Sequence, residues 1–255
     1  MTGMPNRSPM PVPHLQQESE SGLPPGFDLA TFKTVECKIK TYHDHKQCVN
    51  YHSQKDRRRP LSKFKYSAEM CPYMEAGKCK YGDQCKYAHN TVEQFYHPTK
   101  YKTKLCTHYR SKSQNKCKYG KFCSFAHSEE ELRIPLLHRR KKDLHFYLEE
   151  YKTVYCPFNK PHDKSTCEYA HNVQDYRRPP SKYNYKAEIC KKWNVSSDVS
   201  TYSQGGCDKG MDCNKCHGWK ELEYHPDFYK TRPCVNGENC KRADCGYYHS
   251  EKDRR

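Results

Sequence analysis

"KCKYGKFCSFAH" (Lys116–His127) closes on Cys-x5-Cys-x3-His, and the lead-in "YHPTKYKTKLC" (Tyr96–Cys106) ends on a further cysteine. The lead-in returns 128 residues later as "YHPDFYKTRPC" (Tyr224–Cys234), keeping YHP, YKT and the final cysteine. It is too short and too charged for a core strand. Its recurrence before a cysteine makes it the approach to a metal site.

Other phrases repeat at a shorter offset. "RRRPLSKFKYSAEMC" (Arg57–Cys71) returns as "YRRPPSKYNYKAEIC" (Tyr176–Cys190), and "FKTVEC" (Phe32–Cys37) as "YKTVYC" (Tyr151–Cys156), both 119 residues on. Nine extra residues within "NVSSDVSTYSQGG" (Asn194–Gly206) account for the difference between 119 and 128. A module of about 100 residues has been duplicated, which is not the short period of a solenoid.

Cys and His fall into three sets per copy. The first copy has Cys37, His43, Cys48 and His52, then Cys71, Cys79, Cys85 and His89, then Cys106, Cys117, Cys123 and His127. The second has Cys156, His162, Cys167 and His171, then Cys190, Cys207, Cys213 and His217, then Cys234, Cys240, Cys245 and His249. The repeat selects His43 over His45, because His162 is the counterpart of His43 whereas Lys164 is that of His45. Of 17 cysteines only Cys216 is left over, and beside His217 it is a rival ligand. Four sulfur or imidazole ligands closed by Cys-x3-His suit tetrahedral structural zinc, six per chain, with no open position for catalysis.

Composition agrees. Hydrophobic residues make up 34% and charged ones 30%, with mean hydropathy -1.20, so a large apolar core is excluded and metal must supply the fold. No signal-peptide core and no apolar run of membrane-spanning length is present, so the chain reads as intracellular, with reduced thiols. The odd cysteine count also disfavours a disulfide framework. The net charge of +16 points to a polyanion.

"KCKYGDQCKYAH" (Lys78–His89) and "KCKYGKFCSFAH", each with a YKT-type lead-in nearby, resemble the fingers of tristetraprolin. The Cys-x5-His-x4-Cys-x3-His sets and the "YHP…YKTRPC" finger resemble plant arginine-rich tandem CCCH proteins. Six fingers in two groups of three most closely resemble the Unkempt family, over about Phe32 to His249. The resemblance implies a cytoplasmic protein, including in ribonucleoprotein granules. It also implies binding of single-stranded mRNA at short U- and A-containing elements, and control of translation or decay with the corresponding machinery as partners.

The expected fold is small, metal-stabilised and mostly irregular with short helices. Residues 1–30 form a disordered tail, 31–128 the first three-finger module, 129–150 a partly helical linker starting near Glu129, and 151–255 the second module. The resemblance to tristetraprolin implies that Tyr81 with Tyr87, and Tyr119 with Phe125, sandwich bases, although Tyr87 and Phe125 also suit small finger cores. Tyr169 and Tyr247 hold the equivalent place in the fourth and sixth fingers, whereas Lys209 and Lys215 replace both aromatics in the fifth. The straps add Tyr101, Lys102, Lys104, Tyr229, Lys230 and Arg232, as packing, as RNA contacts, or both. Arg57–Arg59, Arg177–Arg178 and "HRRKK" (His138–Lys142) read as phosphate contacts or as solvated linker faces. Classical major-groove fingers are disfavoured because no C-x12-H spacing occurs. Catalysis is disfavoured by the closed ligand sets. A scaffold for proteins, or non-specific nucleic-acid binding, is the alternative.

Overall fold

The computed structural model describes residues 26–74, 79–108, 117–196, 199 and 202–255. The expected disorder of residues 1–25 lies outside them. Regular structure is sparse, because no finger is long enough to close an apolar core. Two five-residue helices follow closing histidines, α1 (Thr91–Phe95) and α2 (Trp219–Glu223). A parallel pair joins β1 (Lys186–Ile189) to β2 (Lys215–Cys216). Single 3-10 turns at Gly82–Gln84, Gly120–Phe122, Gly210–Asp212 and Gly237–Asn239 lead to ligand cysteines. Their first residues have φ of 49°, 50°, 49° and 46°, a region that glycine enters without strain.

One backbone contact closes every finger. The N–H of the first cysteine ligand donates to the carbonyl of the residue before the closing histidine, at 2.7–2.9 Å: Cys37 to Tyr51, Cys71 to Ala88, Cys106 to Ala126, Cys156 to Ala170, Cys190 to Cys216 and Cys234 to Tyr248.

The described residues divide into two compact units, 26–134 and 135–255. In the first, Phe27, Phe32, Tyr96 and Tyr101 are buried together, with Phe32 and Tyr96 rings 4.4 Å apart and Phe27 and Tyr101 rings 5.7 Å apart. Phe32 belongs to the strap of finger 1 and Tyr101 to that of finger 3, so strap aromatics join the outer fingers. The second unit repeats this, with Tyr151 and Tyr224 rings 4.6 Å apart, Tyr224 and Tyr229 5.0 Å apart, and Tyr147 against Tyr229 at 5.6 Å. Phe27 corrects the expected tail: residues 26–30 fold back because this ring is needed to complete a four-ring core.

No helix begins at Glu129. Residues 129–131 form a turn, because the Glu131 carboxylate is held by Lys102 Nζ and the His127 N–H. The boundary between units falls at Ile134 and Pro135. Leu137 and Phe146 are buried in the second unit, within a 3-10 turn (Leu137–Arg139) and a π-helical turn (Phe146–Glu150). Among the described residues no helix is long and apolar enough to cross a membrane.

Candidate metal centres and nucleic-acid interface

The first five ligand sets, with His43 in the first and His217 in the fifth, each bring four ligand atoms within 4.8 Å of one another. In the sixth, Cys234 Sγ lies 3.8 Å from Cys245 Sγ, and the Cys240 thiol also reaches Cys234. Two thiolates about 2.3 Å from one tetrahedral ion stand about 3.8 Å apart, and a thiolate and an imidazole nitrogen about 3.6 Å. The observed sulfur separations are 3.8 Å for Cys37–Cys48, 3.7 Å for Cys71–Cys85, 3.9 Å for Cys156–Cys167 and 3.8 Å for Cys190–Cys207. Cys37 and Cys156 lie 3.5 Å and 3.6 Å from the Nε2 of His43 and His162. These spacings are far too long for disulfides and match a shared ion.

The donor chemistry fits as well. Nε2 of His89, His217 and His249 is buried with no hydrogen-bond partner among the described residues, which is costly unless a metal takes it. In the CHCH sets two Nε2 atoms face each other at 2.9 Å (His43, His52) and 3.0 Å (His162, His171). Burial, with Arg178 nearby, presses His217 down to about 3, so its imidazole is neutral, the form that ligates. Tyr202 Oη, 2.7 Å from Nδ1, fixes the ring from behind. Cys216 is fully buried, with its thiol turned 3.1 Å from the Lys186 carbonyl, and burial pushes it up to about 12. Cys216 Sγ is thus turned toward the Lys186 carbonyl, and His217 is the residue whose ligand atom groups with those of Cys190, Cys207 and Cys213. Structural zinc at such Cys/His clusters follows.

Behind each site lies a device that composition does not reveal. A carboxylate four residues past every closing histidine accepts that histidine's backbone N–H: Asp56, Glu93, Glu131, Asp175, Glu221 and Asp253. In fingers 1, 3, 4 and 6 the same carboxylate pairs with the strap lysine, Lys33, Lys102, Lys152 or Lys230. These four lysines have φ of 56–61°, a left-handed turn that carries Nζ inward at a local cost. In fingers 2 and 5 arginine replaces lysine. Arg59 Nε and Nη2 bind Glu93 at 2.7 Å, and its guanidinium also donates to the Asp83, Cys85 and Tyr87 carbonyls. Arg178 does the same with Glu221 and the Met211, Cys213 and Lys215 carbonyls. The acid at this fixed spacing was visible in sequence as a sixfold coincidence.

Several expected RNA contacts therefore have other work. Tyr101 and Tyr229 are buried in the aromatic cores, and Lys102 and Lys230 are tied to Glu131 and Asp253. Tyr169 is fully buried, its hydroxyl 3.0 Å from His138 Nδ1, because residues 135–138 fold over finger 4. Arg58, Arg59, Arg177 and Arg178 are at most 1% exposed and lock the fingers together, so they meet no phosphate, while Arg57 pairs with Asp83 at 2.8 Å. Arg58 and Arg177 reach back to strap carbonyls, Phe32 and Tyr151. Lys104 and Arg232 remain exposed. Tyr81 and Tyr119 are 37% and 40% exposed beside their 3-10 turns, with Lys80 and Lys118 Nζ 5.4 Å and 5.7 Å from the rings. Tyr87, Phe125 and Tyr247 are half-buried, Phe125 against Phe95 and Tyr247 against Phe228.

Two family descriptions match. "Zinc finger C-x8-C-x5-C-x3-H type (and similar)" covers residues 66–91 and 101–129, and "AtC3H23-like, CCCH zinc finger" covers 145–178. A mouse protein named "Putative E3 ubiquitin-protein ligase UNKL" is 35% identical over 91% of this chain and 41% of its own length. The Drosophila melanogaster "RING finger protein unkempt" is 29% identical over 88% of this chain and 46% of its own. The Arabidopsis thaliana "Zinc finger CCCH domain-containing protein 49" is 38% identical over 42% of this chain and 28% of its own. The chain thus spans less than half the length of these curated relatives. It belongs to the CCCH zinc-finger proteins, and over about nine-tenths of its length it is similar to Unkempt relatives.

Proposed function

We propose that the chain is a single-stranded RNA-binding module that holds six structural zinc ions and reads short U- and A-containing elements, regulating translation or decay of mRNA in the cytoplasm. The observation that carries this reading is the matched pair Tyr81 and Tyr119. Both rings project from a Cys-Lys-Tyr-Gly turn next to a metal site, half in water, each with a lysine alongside. A rigid exposed aromatic stacks an unpaired base, worth about 1–3 kcal/mol, and the lysine meets the neighbouring phosphate. Tyr87, Phe125 and Tyr247 can offer ring edges to the same strand, with Lys104 and Arg232 as rim cations.

Some relatives carry ligase names, but the ligand sets here are saturated by protein side chains, and the reading is of binding without catalysis. The test is selection from a random RNA library by the zinc-loaded chain, with single-stranded DNA as competitor. An enriched unpaired U/A motif whose binding weakens in Tyr81→Ala and Tyr119→Ala supports the proposal. Retention without enrichment would sink it in favour of charge-driven or scaffold binding.

A further inference from the structure

We infer that a groove of about 680 Å³ in the second unit, walled by finger 4, α2 and finger 6, is a nucleobase site with Trp219 as its stacking platform. The inference rests on the RNA-binding reading and names where in the second module a base is held. Trp219, the first residue of α2, is 60% exposed and makes no ring contact among the described residues. A large ring left in water at the mouth of a groove is a platform on which a planar group can stack.

The chemistry around it selects a base and its phosphate. The acids lining the groove are already neutralised: Glu223 by Arg242 at 2.8 Å, Asp244 by Lys220, and Asp175 by Lys152 at 2.9 Å. Lys164 stands exposed on the rim and in no ion pair among the described residues. Tyr247 and Asn172 also line the groove. An aromatic platform, walls whose acids are all paired, and one free cation at the edge fit a stacked base carrying a phosphate. An apolar peptide helix would need a stripe of aliphatic side chains, and the lining holds none. Thr91 stands at the corresponding place in the first module, so the site belongs to the second copy alone.

Tryptophan fluorescence reads this directly, because the chain has two tryptophans and the other, Trp193, is buried, stacked on His217 at 4.2 Å. The zinc-loaded full chain is titrated with a mixed U/A single-stranded RNA of about 12 nucleotides, following both tryptophan emission and the anisotropy of labelled RNA. Quenching in the native chain that disappears in Trp219→Phe is expected. Trp219→Ala should weaken binding about 5- to 150-fold and Trp219→Phe only a few-fold, at unchanged zinc content. RNA binding that is lowered by Tyr119→Ala but untouched by Trp219→Ala, without quenching, overturns the groove while leaving the RNA reading intact, and assigns Trp219 to a protein partner. Absence of RNA binding by the native chain overturns both.

Discussion

Glu93 and Arg59 have side chains 2% and 1% exposed, so each charge is tolerable only because the other is present. Burial opposes ionisation of Glu93, but Arg59 and two backbone N–H groups outweigh it and hold the carboxyl below its usual range. Glu93→Gln should cost about 3–5 kcal/mol by denaturant unfolding of the zinc-loaded chain, since a buried guanidinium loses its counter-charge. Glu131→Gln, whose side chain is 43% exposed, should cost less than about 1 kcal/mol in the same assay. A second residue-scale expectation concerns Cys216. Cys216→Ser should keep the native zinc content by elemental analysis, whereas His217→Ala should lower it by one equivalent per chain. The sequence displayed the ligands, because their chemistry needs four residues at fixed spacing. It did not reveal that Arg58, Arg59, Arg177 and Arg178 are interior: charge is legible in a sequence, burial is not.

At the scale of elements, the insertion between Asn194 and Gly206 has a structural use. Its Tyr202 is buried behind His217, and Gly205 lies so close beneath Trp193 that an added Cβ would stand 2.0 Å from the ring. Gly205→Ala should cost about 1–3 kcal/mol through overpacking and perturb Trp193 emission, as a thermal melt with fluorescence detection would show. The straps were legible as approaches to metal, but their aromatic residues were divided between core and surface only by packing. Tyr101 and Tyr229 turn inward because the left-handed lysine that follows redirects the chain, whereas Tyr81 and Tyr119 stay outside on turns too tight to bury them. The expected helix at Glu129 failed for a related reason: its acid was already held by the finger before it.

Across the whole molecule, two small aromatic clusters and the metal sites must carry what a large core normally would. Chelation should therefore remove near-ultraviolet dichroism throughout the described units, and zinc should restore it. Phe27→Ala should destabilise the first unit by about 3 kcal/mol despite lying only five residues from Phe32, because it opens the four-ring core. Salt dependence tests the charge argument: Lys104→Ala and Arg232→Ala should each lower the RNA-binding salt slope by about 0.7 if each meets one phosphate. Arg58→Ala and Arg177→Ala should instead lower stability.

The duplication, the small metal-dependent fold and every ligand except the closing one of finger 5, where Cys216 rivalled His217, were determined by sequence alone, because tetrahedral coordination imposes spacing and a repeat exposes itself by comparison. Which aromatics and cations face solvent was decided only by tertiary structure. The same aromatic-lysine pair is core in Tyr101–Lys102 and surface in Lys118–Tyr119. The difference lies in whether a carboxylate and a neighbouring finger are close enough to bury it.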